Sequence, residues 1–225
     1  MRPLYGLAKL TAGNLLRLCW RPVVEGLEHV PGRGGVILAG NHLSVADEFF
    51  LAAVVPRHIA FWAKAEYFAG KGPRGWLTRA VVNGMGAIRV ERGDGRAALA
   101  AFDAAAPVLR AGGVVAIYPE GTRSPDGRLY RGRTGVVRLA RQAEVPIVPV
   151  GVLGTDKIQP VGARLPRVGS RVTFRFGRPI EVAGRIGRPA DIRAVTDELM
   201  AEIQKLSGQE YVPRYAPKRG ADGGR

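Results

Sequence analysis

Cysteine is nearly absent: Cys19 is the only one in 225 residues. An internal disulfide is therefore excluded, no paired-thiolate zinc motif is available, and an intracellular setting is expected. Acidic residues are also scarce, 19 against 34 Lys and Arg, so the formal net charge is +15 and the surface should attract phosphates, anionic headgroups or acidic partners. Nucleic acid would satisfy that charge. However, aromatic residues make up only 7%, and no RNP, helix-hairpin or zinc pattern interleaves them with the basic residues, so no nucleic-acid partner is expected. There is no Gly-x-Ser-x-Gly elbow and no Walker A loop. Gly70-x-Gly72-x-x-Gly75 matches a dinucleotide fingerprint as a string only, since it contains Pro73 and follows no clear strand. A long uncharged run is missing too: Lys9, Asn14 and Arg17 interrupt the apolar stretch from Leu4 to Trp20, which is short for a membrane span and lacks a signal-peptide cleavage site.

What is present is a globular composition, 46% hydrophobic and 24% charged, at a length that suits one domain. Apolar runs of strand length alternate with helical patterns. A strand at Val36 to Ala39 precedes a helix near Val45 to Val55; Ile59 to Ala63, a helical piece near Trp76 to Val82 and a strand near Ala87 to Val90 follow. The order repeats with an Ala-rich helix from Arg96 to Arg110, a strand at Val114 to Ile117, a helix at Gly135 to Ala143 and a strand at Ile147 to Val152. Arg171 to Phe176 alternates like a strand near an edge, and Asp191 to Leu206 is the last helix. The pattern predicts an α/β fold with a largely parallel central sheet flanked by helices over residues 23–207. An N-terminal amphipathic helix is expected in residues 1–22, and a disordered basic tail in residues 208–225.

Drawn as a helix, the N-terminal segment aligns Leu4, Leu7, Thr11, Leu15 and Leu18 on one stripe, with Arg2 and Lys9 opposite. Such a helix can lie in the interface of an anionic phospholipid membrane, here as a peripheral or monotopic attachment on the cytoplasmic face. Packing of the stripe on the protein's own core is an equal alternative.

Asn41-His42-Leu43-Ser44-Val45-Ala46-Asp47 follows directly on the first buried strand. Five residues correspond to about 140° on a helix, so His42 and Asp47 do not share a helical face. His42 then belongs on the turn leaving the strand and Asp47 in the first turn of the next helix, where its carboxylate can hold one ring nitrogen while the other meets a substrate. Ser44 and Asp47 also read as a capping-box variant, which accounts for both of them but not for the histidine.

A second loop, Tyr118-Pro119-Glu120-Gly121-Thr122-Arg123-Ser124, leaves the strand at Val114 to Ile117. Gly121 permits close backbone approach, Arg123 offers a planar fork for phosphate oxygens, and Glu120 can hold an arginine or accept from a hydroxyl. Gly86 to Arg92 ends another strand with Arg89 and Arg92, and Val145-Pro146-Ile147-Val148-Pro149-Val150 carries two prolines.

In order and spacing these four segments resemble the glycerolipid acyltransferase family of 1-acylglycerol-3-phosphate (lysophosphatidate) acyltransferases, over residues 36–152. The resemblance implies that His42 and Asp47 are the catalytic pair. It also implies that Arg92, Glu120, Gly121 and Arg123 bind the acceptor's phosphate, with Asn41, Arg89 and Thr122 as additional candidates, and that Pro149 supports the fold and acyl pocket. Arg89 and Glu91 depart from the family's second block and bear on acceptor choice. The implied reaction moves a fatty acyl group from acyl-CoA or acyl carrier protein to a lysophospholipid hydroxyl, with no cofactor, no metal and no covalent acyl-enzyme. Glycerol 3-phosphate or another lysolipid is the alternative acceptor. A thioesterase or a membrane adaptor without chemistry is a competing reading, as is a nucleic-acid binder.

Overall fold

The structure, a computed structural model, describes residues 3–90, 95–160, 166–167 and 169–217. The N-terminal segment is α1 (Pro3–Ala8), a π-helical turn (Lys9–Gly13) and α2 (Asn14–Trp20). In chain order there follow β1 (Val23–Glu25), β2 (Val36–Gly40), α3 (Ala46–Val54), β3 (Ile59–Ala60), β4 (Trp62–Lys64), α4 (Glu66–Ala69), α5 (Gly72–Gly84), β5 (Ile88–Val90) and α6 (Gly95–Arg110). Next come β6 (Val114–Ile117), β7 (Leu129–Tyr130), α7 (Gly135–Ala143), β8 (Ile147–Leu153), α8 (Thr155–Ile158), β9 (Thr173–Phe176), α9 (Pro189–Ser207) and β10 (Tyr211–Val212).

Six strands form the central sheet in the order β1-β9-β8-β2-β6-β3. β8, β2, β6 and β3 are parallel neighbours, while β9 runs antiparallel to β8 and pairs in parallel with β1. β2 is apolar throughout because both its faces are covered. Ile37 and Ala39 join a core with Leu109, Val137, Leu139 and Leu199 from α6, α7 and α9. Val36 and Leu38 join a second core with Phe50 and Val54 of α3. The period-2 alternation of a strand thus serves two helical layers. α7 shows the matching helical pattern, burying Val136, Val137, Leu139, Ala140 and Ala143 and exposing Arg138 and Arg141.

Two sequence expectations change. The run from Ile59 to Ala63 divides, so that β3 joins the main sheet while β4 pairs with β5 in a separate two-stranded sheet; the Trp62 indole donates to the Ala116 carbonyl at 2.8 Å and ties the departing strand to β6. β9 lies near an edge as expected, next to the edge strand β1, whose three residues are too short to stand out by periodicity. Disorder from residue 208 is corrected for residues 208–217. Gly208 takes a left-handed φ of 71° that ends α9, and the chain returns to pair β10 with β7, burying Val212 and Ala216 beside Tyr130. Residues 218–225 lie outside the described residues.

β2 and β6 are adjacent and parallel. The two loops singled out in the sequence therefore leave the same end of the sheet side by side, at the carboxyl ends where α/β sheets gather ligands.

Candidate active site

His42 leaves β2 on an irregular turn and Asp47 is the second residue of α3. His42 Nδ1 lies 2.7 Å from Asp47 Oδ2. The same oxygen accepts the backbone N–H groups of Leu43 at 2.8 Å and Ser44 at 3.0 Å. Ser44 Oγ accepts from the Ala46 N–H at 3.2 Å and donates to the Gln159 carbonyl at 2.7 Å. Val45, not Ser44, is the N-cap of α3 and no side chain caps it; the Asp47 carboxylate nevertheless organises the turn and orients the imidazole. Asp47 is fully buried, whereas the His42 side chain keeps 14% exposure. With Nδ1 held, Nε2 is the nitrogen left to meet a substrate. A neutral imidazole there can take a proton, and Asp47 stabilises the imidazolium that forms.

The second loop is stitched to the first. Ser124 N–H donates to the His42 carbonyl at 2.7 Å. Glu120, buried, accepts the His42 N–H on Oε1 at 3.3 Å and the Tyr130 N–H on Oε2 at 2.9 Å. In this structure both oxygens accept from backbone donors, so Glu120 ties the second loop to the turn that carries His42. Asn41 also bonds to backbone. Its amide pairs with Val152 of β8, donating to the carbonyl at 2.8 Å and accepting the N–H at 2.7 Å, so it joins two strands.

Gly121 takes φ 76° and is exposed, and Arg133 Nε lies 3.1 Å from the position a Cβ would occupy there. Thr122 and Arg123 are half-buried on the same loop. Arg89 is exposed on β5, and Arg92 lies outside the described residues. Pro149 is buried within β8, opposite Ala39. His29 and His58 bond backbone carbonyls of Phe176 and Met85, each at 2.8 Å, and have no place in the site. Among the described residues no group of three or more His, Cys, Asp or Glu is arranged to hold a metal.

Three neighbours were not singled out from the sequence. Tyr118 stacks on the His42 ring, centroids 3.9 Å apart and planes 8° from parallel. Arg133 was one of 34 basic residues with nothing local to distinguish it. Glu48 adjoins Asp47, and its only sequence signal was an acidic residue in a first helical turn.

Burial pushes Glu48 up to about 7, helped by the Asp47 charge and opposed by Arg123. Burial also pushes Glu120 up to about 7 against the two N–H groups it accepts. Both folded values exceed the ordinary carboxylate value, so the stabilisation is complete below about pH 4.5 and is lost as pH rises through about 7. The thermal midpoint should fall between pH 5 and pH 8. Glu48→Gln should remove on the order of 1–2 kcal/mol of that difference, and a slope equal to the parent's would refute the assignment.

A sheet that places an Asp-held histidine beside an arginine-bearing glycine loop has the architecture of an acyl-transfer enzyme. A family model described as Acyltransferase matches residues 21–153, and the chain belongs to that family. It is 30% identical over 158 residues to a chloroplastic 1-acyl-sn-glycerol-3-phosphate acyltransferase of Brassica napus, covering 70% of this chain and 44% of that protein. A 1-acyl-sn-glycerol-3-phosphate acyltransferase of Limnanthes alba is 33% identical over 213 residues, 93% of this chain and 68% of that one. Among solved structures, the 1-acyl-sn-glycerophosphate (LPA) acyltransferase PlsC of Thermotoga maritima superposes with a TM-score of 0.68 at 26% identity, covering 90% of this chain and 79% of that one. The chain thus spans less than half the length of the Brassica protein.

Proposed function

We propose that this protein transfers a fatty acyl group from an acyl thioester to the free hydroxyl of 1-acylglycerol 3-phosphate, forming phosphatidate for phospholipid synthesis. The observation that carries this reading is the 2.7 Å contact of His42 Nδ1 with buried Asp47 beside the Arg123 loop; the names of the relatives support the acceptor. An acyl thioester is already activated, so the main demand is removal of the hydroxyl proton. His42 Nε2 accepts that proton as the hydroxyl oxygen attacks the thioester carbonyl. The carbon–sulfur bond then breaks, and the imidazolium returns the proton to the leaving thiolate. Acyl-CoA or acyl carrier protein is a co-substrate, and no cofactor is needed.

Arg123 and Arg133 hold the phosphate, joined by Arg92 on the strength of its motif. Arg123→Ala should raise the acceptor KM about 10- to 100-fold with a smaller change in kcat, as loss of a charge-assisted bond of about 1.5–3 kcal/mol requires. The deciding assay supplies palmitoyl-CoA with lysophosphatidate, glycerol 3-phosphate or lysophosphatidylcholine separately and measures free thiol and lipid product. Turnover with lysophosphatidate alone is expected, and turnover only with glycerol 3-phosphate would overturn the acceptor.

The same reading places the protein at the cytoplasmic face of the membrane as a peripheral component. Leu7, Leu10, Leu15 and Leu18 stand 58–70% exposed, and Phe49, Trp76 and Leu77 expose 58–64%. Lys9 points the other way, donating from Nζ to the Val55 carbonyl. These exposures favour an interfacial helix over packing on the core. No helix among the described residues is long and apolar enough to cross a membrane. A Leu10→Lys/Leu18→Lys variant should cosediment at least tenfold less with anionic vesicles at an unchanged thermal midpoint; undiminished sedimentation would refute the attachment.

A further inference from the structure

The Arg133 N–H donates to the Pro119 carbonyl at 2.8 Å, next in sequence to the tyrosine that stacks on His42. Its backbone is thereby fixed to the second loop, and its Nε reaches the Gly121 turn, 3.1 Å from the position a Cβ would occupy. Among the described residues neither Arg131 nor Arg133 forms an ion pair. What they share is one aromatic ring: the guanidinium carbons of Arg133 and Arg131 lie over Tyr215, 5.0 and 5.6 Å from its centroid. A ring face attracts cations, so a single tyrosine gathers two like charges that otherwise repel each other. That ring is delivered by the end of the chain. β10 pairs with β7, the Leu129 N–H donates to the Glu210 carbonyl at 2.9 Å and the Arg131 N–H to the Arg214 carbonyl at 3.0 Å. Val212 and Ala216 are buried against Tyr130, whereas Tyr215 between them stays 46% exposed. The strap is anchored by its backbone and its small apolar residues, not by the tyrosine that meets the arginines.

We propose that Tyr215 is a positioning residue for the acceptor's phosphate: the C-terminal strap lays its ring against the Arg133 guanidinium and holds that cation at the Gly121 turn before the substrate arrives. The proposal rests on Arg133 contacting the phosphate, and it goes further by giving the end of the chain a part in acceptor affinity. An arginine left free has to be ordered when the substrate binds, which lowers affinity about two- to tenfold. Arg131, the second cation on the ring, adds positive field at the same place.

Tyr215→Leu removes the ring and keeps apolar bulk, whereas Tyr215→Phe keeps the ring. The first readout needs no substrate. In the full chain with isotope-labelled arginine, the Arg133 Nε–H NMR signal, assigned by its loss in Arg133→Lys, should lose its ring-current shift in Tyr215→Leu and keep it in Tyr215→Phe. In turnover with palmitoyl-CoA, Tyr215→Leu should raise the lysophosphatidate KM about three- to tenfold, with kcat and the palmitoyl-CoA KM within about twofold of the parent's. Tyr215→Phe should restore the parental KM. In an Arg133→Ala background, Tyr215→Leu should add less than about twofold, because the ring then has no Arg133 to hold. An Arg133 signal or a lysophosphatidate KM that does not move in a Tyr215→Leu protein, folded by its thermal midpoint, overturns the proposal, as does an equal rise in KM with and without Arg133. If Arg133→Ala itself leaves the KM unchanged, the phosphate role of Arg133 falls and the proposal with it; a raised KM in Arg133→Ala with none in Tyr215→Leu rejects the proposal alone.

Discussion

Replacing His42 with alanine should lower turnover by about 10²–10⁴-fold, the range over which a positioned general base accelerates proton removal. The imidazole lies at the rim of the site with 14% exposure, and among the described residues its side-chain bond is to Asp47. Asp47 still accepts two backbone N–H groups once the ring is gone. The variant should therefore fold, with a thermal midpoint within a few degrees of the parent's, because loss of a hydrogen bond of about 1 kcal/mol moves a domain of this size by only that much. Retention of a tenth or more of parental kcat in a folded His42→Ala protein would remove this residue from the chemistry.

Asp47 should separate into two variants with different signatures. Asp47→Ala leaves the buried N–H groups of Leu43 and Ser44 without an acceptor and should lower stability by about 3 kcal/mol in addition to abolishing turnover. Asp47→Asn keeps a carbonyl oxygen for those donors and for the imidazole N–H but loses the charge. It should hold its fold while kcat falls at least 100-fold, since an uncharged amide stabilises an imidazolium poorly. Chemical denaturation measured beside kcat distinguishes the two, and an Asp47→Asn enzyme within threefold of the parent would show that the carboxylate's charge plays no part.

Glu120 shows what residue type alone does not reveal. Its place in a loop with Gly121 and Arg123 suggested contact with substrate, and the folded chain adds that its oxygens accept the N–H groups of His42 and Tyr130. The pairing of the Asn41 amide with both backbone groups of Val152, a residue 111 positions away, was likewise invisible in the chain. Tyr118 was visible as a residue of the second loop, but its stacking on His42 depends on β2 and β6 being neighbours. The N-terminal stripe was legible as a stripe; which way it faces was decided by α3, against which the helix packs with its other side.

Local information sufficed for the alternating α/β pattern, the doubly covered β2, and the presence and order of His42, Asp47 and Arg123, because periodicity, capping and turn chemistry act over a few residues. Strand order, the return of β10 to β7, the backbone role of Glu120, the stacking of Tyr118 on the imidazole and the placing of Arg133 beside Gly121 were decided only in the folded molecule. These depend on contacts between residues tens of positions apart, which form when the two cores close on the sheet and carry no periodic signal in the chain.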